Sequence, residues 1–257
     1  MPELAAEINA LPRSTRSLSL RYRKLKWGIW ENKAARAIEA MQDLEQIDFS
    51  HNQIDYVPFD WTKLLRLKHI NLANNDLGYW YYERPTKLGY NWHLCETLES
   101  LSVRSNHMTW FGVPEHNWQS LRCLDVSNNV GREFMYNVMP DKAFSFTLKL
   151  PYIASLRELR ISHNNYKVFP QVLHFDNLET LDLRYNKLSE FPKNIGRLAR
   201  LQRLNLASNR LQSLPAWLFT ELPALREVDV RNNARLSTKH LLTLQEHYPD
   251  TRILWQS

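Results

Sequence analysis

One short pattern recurs along nearly the whole chain: apolar residues spaced as Leu-x-x-Leu-x-Leu, followed three positions later by asparagine. Its first complete copy runs from Leu44 to Ile54. Further complete copies begin at Leu67, Leu98, Leu121, Leu156, Leu178, Leu201 and Leu225. A degenerate copy with Leu18, Leu20 and Leu25 precedes them. About nine coils at a spacing near 23 residues predict a solenoid, because each unit can bury its apolar face only against its neighbours.

The repeated pattern predicts one short strand in every coil. Side chains alternate along a strand, so the apolar residues of Leu-x-Leu point inward and the residues between them point outward. The asparagine follows where the strand must turn, and its amide can satisfy backbone groups that the turn leaves unpaired. We therefore expect a buried ladder made of Asn52, Asn75, Asn106, Asn129, Asn164, Asn186, Asn209 and Asn233.

The stretch from Phe191 to Pro215, FPKNIGRLARLQRLNLASNRLQSLP, resembles the 23-residue intracellular class of leucine-rich repeats. The resemblance implies an α/β solenoid in the shape of a horseshoe, with a parallel sheet of about nine strands on its concave face and a helical or irregular convex side. It also implies a role in binding another macromolecule, as in a bacterial leucine-rich repeat protein or an effector-like one. It does not name the partner, because a fold does not fix a function.

The unbroken repeat predicts a single domain over residues 1–257. Within it, residues 1–43 would form an N-terminal cap with the degenerate coil, residues 44–236 the repeats, and residues 237–257 a C-terminal cap.

The ends of a solenoid expose apolar surface unless other segments cover them. We expect a helix over residues 32–41 at one end. At the other end, we expect a helix that begins after the N-cap Ser237 and stops before Pro249, followed by an edge strand over residues 251–255.

Two coils are longer than the others, which places inserts at about 76–97 and 130–155. Inserts in solenoids often lie on the binding side, and these are rich in aromatic residues. The rings could form an exposed ridge or a buried local core, and the sequence leaves both open. The ridge hypothesis predicts that a partner contacts a flank made of Tyr79, Trp80, Tyr81, Tyr82, Trp92, Arg104, Trp110, Phe111, Asp125 and Tyr136.

The outward positions of the strands contain no aromatic residue but many charges towards the C-terminus. Opposite charges on neighbouring strands, such as Arg160 and Asp182, could pair, and exposed pairs of this kind contribute about 0–1 kcal/mol each. These positions give a second set of candidate contacts: Arg160, Asp182, Arg184, Asp229 and Arg231.

No set of residues with the spacing of a catalytic or metal site is visible. The outward aspartates never fall on adjacent coils, and His51 and His163 are separated by four strands, about 19 Å. No zinc-ligand spacing and no glycine-rich phosphate loop occur. We therefore expect no enzyme activity, no metal and no cofactor.

The net charge is +6, and the chain has two cysteines, Cys95 and Cys123. No apolar run is long enough to span a membrane, and the N-terminus lacks the features of a secretory signal. We expect a cytoplasmic monomer, with delivery into a host cell without a Sec signal as the alternative.

A protein-binding module (adaptor, inhibitor or effector) is the favoured function, ahead of carbohydrate or small-ligand binding through the aromatics and of nucleic-acid binding.

Overall fold

A computed structural model of the chain describes residues 2–26, 32–55, 57, 60–78, 95–108, 110–112, 118–129, 147–149, 152–170, 174–192 and 195–256. The helices are α1 (Pro2–Asn9), α2 (Asn32–Glu39), α3 (Trp217–Glu221) and α4 (Thr238–His247). The strands are β1 (Ser17–Ser19), β2 (Gln46–Asp48), β3 (His69–Asn71), β4 (Ser100–Ser102), β5 (Trp110–Gly112), β6 (Cys123–Asp125), β7 (Thr147–Lys149), β8 (Glu158–Arg160), β9 (Thr180–Asp182), β10 (Arg203–Asn205), β11 (Glu227–Asp229) and β12 (Arg252–Leu254).

Ten of these strands form one parallel sheet in the order β1-β2-β3-β4-β6-β8-β9-β10-β11-β12. Each pair aligns the central residue of one coil with that of the next, for example Ile47 with Ile70 and Leu101 with Leu124. The fold is therefore the predicted horseshoe solenoid. The tenth strand, β12, is the predicted edge strand after the nine coils.

Outward and inward positions alternate along each strand as expected. The inward residues are almost fully buried in one continuous core that runs from Leu4 in α1 to Ile253 in β12. The division into caps, repeats and inserts stays a prediction.

Strands β5 and β7 form a separate two-stranded parallel sheet that the repeat pattern did not predict. It places Phe111 in the core, with 1% of its surface exposed and its ring stacked at 6.3 Å on Trp118. The prediction of Phe111 as a partner contact was wrong. The small sheet of β5 and β7 must bury apolar area against the solenoid to hold its position, and Phe111 of β5 provides part of that area.

The asparagine ladder is present. In coil 3, the Asn75 amide donates to the carbonyls of Leu72 and Phe49, and its oxygen accepts from the backbone N–H of Ile54, each at 3.0 Å. Seven of the eight predicted members are buried. Asn52 is only half-buried, because the coil outside it is the degenerate first copy.

A second feature of the turn is that the residue before each ladder asparagine has a positive φ, between 53° and 59°. The same position in the degenerate first coil, Tyr22, has a φ of 56°. L-residues other than glycine and asparagine rarely adopt this left-handed conformation. The residues concerned are Tyr22, His51, Asn74, Ser105, Asn128, His163, Tyr185, Ser208 and Asn232.

Both ends of the core are covered by helices. At the N-terminal end α2 buries the predicted face of Ala34 and Ile38 and packs against α1, a helix that the sequence analysis did not predict. At the C-terminal end Ser237 caps α4 by accepting from the backbone N–H of His240 at 3.4 Å. Among the described residues, no helix combines the length and apolarity that crossing a bilayer requires.

Candidate functional site

The middle of the concave sheet carries an open depression of about 650 Å³. It is centred on β3, β4 and β6, which belong to coils 3–5, and it reaches β2 and β8 at its margins. Most of its lining residues are polar, among them His69, Asn71, Ser100, Ser102, Ser105, Asp125 and two arginines, Arg104 and Arg160. A concave, polar surface on a rigid sheet is suited to binding a partner rather than to enclosing a small molecule.

A column of Asp and Asn residues along the centre of the sheet is occupied by backbone contacts. Each accepts, through its side-chain oxygen, the N–H of the residue two positions later, at 2.9–3.1 Å. This turn-like contact is a common use of Asp and Asn at the end of a strand. The members are Asp48, Asn71, Asp125, Asp182, Asn205 and Asp229.

Three of these carboxylates had been predicted as partner contacts. The structure buries Asp125, Asp182 and Asp229, each at most 9% exposed. Burial raises the pKa of Asp182, and the N–H and the charge of Arg184 oppose that rise. These aspartates hold the ends of their strands and leave little of their own surface exposed to a partner.

Three arginines of the concave face pair with a carboxylate of their own coil. Arg184 contacts Asp182 at 3.2 Å and Arg231 contacts Asp229 at 2.7 Å. Arg160 contacts Glu158 at 2.6 Å instead of forming the cross-strand pair with Asp182 that the sequence suggested. Residues two positions apart share a face of a strand, so the nearest carboxylate is the one in the same coil.

Arg104 differs from the other arginines at its position. It is exposed, and it makes no ion pair with any part of the chain that the structure describes. Its coil has Ser102 where the coils of Arg184 and Arg231 have aspartate. Within the described residues, the guanidinium of Arg104 therefore has no carboxylate to neutralise its charge at the depression.

The structure also brings together residues that the sequence analysis missed. His69 Nδ1 and Ser100 Oγ share a hydrogen bond of 2.9 Å between neighbouring strands. A serine beside a histidine can be a nucleophile and its base, but no carboxylate among the described residues contacts the histidine to orient it. The pairing could have been found by aligning the outward residues of successive coils.

Cys123 lies on the same surface. Burial raises the pKa of its thiol to about 11, and the nearby Glu158 carboxylate adds to the rise. A thiol that stays protonated at neutral pH is a poor nucleophile. Within the described residues no three His, Cys, Asp or Glu side chains are grouped so as to hold a metal ion.

The predicted aromatic flank falls largely outside the part of the chain that the structure describes. Trp110 lies in β5, while Tyr79, Trp80, Tyr81, Tyr82, Trp92 and Tyr136 lie outside the described residues. The described aromatics at the edge of the concave sheet are two stacks that the sequence analysis missed. Tyr22 stacks on His51 at 4.3 Å and Tyr185 on His163 at 4.2 Å.

Both the sequence and the fold of this chain are similar to those of known proteins. The family model "Leucine rich repeat" matches residues 154–211 and 176–234. Podocan of Mus musculus is 29% identical over 182 residues, which covers 64% of this chain and 28% of podocan. Leucine-rich repeat serine/threonine-protein kinase 1 of Mus musculus is 28% identical over 208 residues, which covers 77% of this chain and 10% of the kinase. The chain thus spans less than a third of either relative.

Among solved structures, human 5T4 (Wnt-activated inhibitory factor 1, trophoblast glycoprotein) superimposes with a TM-score of 0.64 at 18% identity. The alignment covers 94% of this chain and 86% of the 5T4 chain. This likeness concerns the fold.

Proposed function

The chain is a leucine-rich repeat protein, and from that premise we propose that it is a non-catalytic module that binds another protein through coils 3–5. Leucine-rich repeat domains generally serve as protein-interaction modules. The proposed surface combines the concave depression with the flank that the two inserts are predicted to form.

One observation carries the proposal: the depression and the roots of both predicted inserts occupy the same three coils. The depression is centred on β3, β4 and β6, and the inserts follow the turns at Asn75 and Asn129 that end coils 3 and 5. An extended partner on the sheet would therefore meet the aromatic inserts at its side. Aromatic rings provide large contact areas with few rotatable bonds to immobilise.

The chemistry of the depression supports binding rather than turnover. The Ser100–His69 contact has no orienting carboxylate among the described residues, and the Cys123 thiol has a pKa of about 11. Neither group is prepared to attack a substrate.

The test is to capture partners from a cell lysate with the purified chain, identify them, and measure binary binding with each purified candidate. The variants Trp80→Ala, Tyr82→Ala and Trp110→Ala should each weaken that binding by more than about 1 kcal/mol while the protein stays folded. Arg184→Ala and Arg231→Ala should have much smaller effects, since both side chains are already paired.

Exposed Arg200, in the turn before β10, supplies the matched control as Arg200→Ala. Binary binding that is insensitive to the three aromatic variants, or that is lost only in the arginine variants of the C-terminal coils, would contradict the proposed surface.

A further inference from the structure

We infer that the concave depression is a recognition site for a carboxylate-rich segment of a partner protein, with Arg104 as its central contact. This inference rests on the proposed function, because it names the chemistry of the partner at the same surface. Four observations lead to it.

The first is the missing aspartate of coil 4. Four coils place an arginine at the same outward position, as Arg21, Arg104, Arg184 and Arg231. For Arg184 and Arg231 the residue two positions earlier is an aspartate that binds the guanidinium, at 3.2 Å and 2.7 Å. For Arg21 and Arg104 that residue is a serine; Arg21 contacts Asp48 of the next coil at 3.6 Å, whereas Arg104 has no carboxylate partner within the described residues. A carboxylate supplied from outside would give Arg104 the kind of pair that the other three arginines make internally.

The second is the space around Arg104. Its neighbours at the same position on the adjacent coils are Ala73 and Ser127, which are small and buried. Among the described residues of the two neighbouring coils, no long side chain stands at this position of the sheet. The guanidinium can therefore be reached from the depression that it lines.

The third is the polarity of the hydrogen-bonding groups. The Asn71 side-chain oxygen accepts from the backbone N–H of Ala73 at 3.1 Å, which fixes the orientation of the amide and leaves its NH₂ as a donor. Ser105 Oγ already accepts from Asn128 at 3.0 Å, so its hydroxyl proton is available. The Ser102 hydroxyl makes no hydrogen bond with the described residues and can donate as well. With Arg104, the depression presents mainly donors, and an acceptor-rich group is the ligand that satisfies them.

The fourth is the charge balance. The Asp125 carboxylate in the depression is buried and bonded to the N–H of Ser127 at 3.0 Å. Burial lowers the pKa of His163 at the edge of the sheet, and the charges of Arg184 and Arg104 add to that fall. An exposed guanidinium without a carboxylate partner among the described residues attracts acidic segments and speeds their association.

The probe is a fluorescein-labelled octaglutamate peptide, with an octaglutamine peptide as the uncharged reference. Fluorescence anisotropy should detect salt-sensitive binding of octaglutamate but not of octaglutamine. Arg104→Ala should weaken octaglutamate binding about tenfold, while Arg200→Ala should leave it within about twofold, because that exposed arginine lies outside the depression.

The sharper variant is Ser102→Asp, which gives coil 4 the carboxylate that the coils of Arg184 and Arg231 already have. It should abolish octaglutamate binding although Arg104 is still present. Ser213→Asp adds the same charge at an exposed position outside the sheet and should have little effect. Melting curves of all variants establish that each is folded.

The inference is overturned if octaglutamate fails to bind, or if it binds Arg104→Ala and Ser102→Asp as well as the wild type. It is also overturned if a single-stranded oligothymidylate binds more tightly than octaglutamate and loses affinity in the same variants, because the depression would then recognise a nucleic acid. Binding of a captured protein that is unchanged in Arg104→Ala but lost in the aromatic variants would refute the inference and leave the proposed function standing.

Discussion

The side-chain oxygen of Asn186 accepts a hydrogen bond from the backbone N–H of Tyr166 at 3.0 Å, which ties one coil to the coil before it. The same oxygen accepts from the N–H of Asn164 at 3.1 Å, and the amide donates to the carbonyls of Ile161 and Leu183. One buried side chain thus satisfies four backbone groups.

Replacement of this side chain should destabilise the solenoid. Asn186→Ala leaves buried donors and acceptors without partners, and we expect a loss of about 1–3 kcal/mol in the free energy of unfolding. Chemical denaturation measures it. The control is Asn52→Ala, which should lose less because Asn52 is half-buried and water can replace part of its contacts. Equal losses of unfolding free energy in the two variants, or an Asn186→Ala variant as stable as the wild type, would refute the ladder as a source of stability.

The left-handed residue before each ladder asparagine makes a second prediction. Ser208 has a φ of 54°, and asparagine tolerates this conformation better than serine does. Ser208→Asn should raise the free energy of unfolding by roughly 0.5 kcal/mol, and Ser208→Val should lower it by about 1–3 kcal/mol, because a β-branched side chain is strained there. A destabilised Ser208→Asn together with a neutral Ser208→Val would contradict this conformation.

The third prediction concerns His163 and pH. Burial, Arg184 and Arg104 lower its pKa below the ordinary 6.5. Titration by NMR should show a His163 pKa below 6.5, and Arg104→Gln should raise that pKa towards 6.5. Because the unfolded chain binds the proton more tightly, His163 favours folding above pH 6.5, and this contribution is lost as the pH falls through the folded pKa.

The variant His163→Asn separates this contribution from that of other groups, because asparagine also accepts the positive φ of the position. In this variant the free energy of unfolding should decrease less steeply as the pH drops below 6.5. A His163 that titrates at or above 6.5 in the wild type would contradict the placement of the two arginine charges.

The fourth prediction concerns the cysteines. Burial raises the pKa of both Cys95 and Cys123 to about 11. From 9.0, this lowers the thiolate fraction at neutral pH about a hundredfold, so iodoacetamide should modify the folded protein slowly and the denatured protein quickly. Glu158→Gln should speed the reaction of Cys123 alone, since Glu158 contacts only that thiol, at 3.7 Å. Rapid alkylation of folded Cys123 would contradict its buried, protonated state.

The sequence predicted the sheet well because the repeat specifies the same buried positions again and again. The strand positions, the asparagine ladder, the α2 face and the edge strand β12 all follow from spacing and apolarity. The helix α1 was missed because it lies before the first repeat. The sheet of β5 and β7 was missed because the inserts break the period.

The candidate site was harder to predict than the fold. The sequence showed that Asp182 and Asp229 face outward but not that each bonds to the arginine two positions later, because that choice depends on side-chain geometry. The structure shows Arg184 paired with Asp182 and Arg231 with Asp229. Only this comparison shows that Ser102 stands where a carboxylate could pair with Arg104. Phe111 was taken for a contact because aromatic composition does not distinguish a ring on the surface from one in a local core.

The most direct test of the proposed binding surface is chemical labelling of arginines with phenylglyoxal, followed by mass spectrometry, in the free protein and in a complex with a purified partner. Arg104 is exposed and should react in the free protein, as should Arg200 and Arg210, which are exposed outside the depression. In the complex, we expect protection of Arg104 while Arg200 and Arg210 stay reactive. Unchanged labelling of Arg104 with protection of Arg200 and Arg210 would contradict binding through the concave face of coils 3–5.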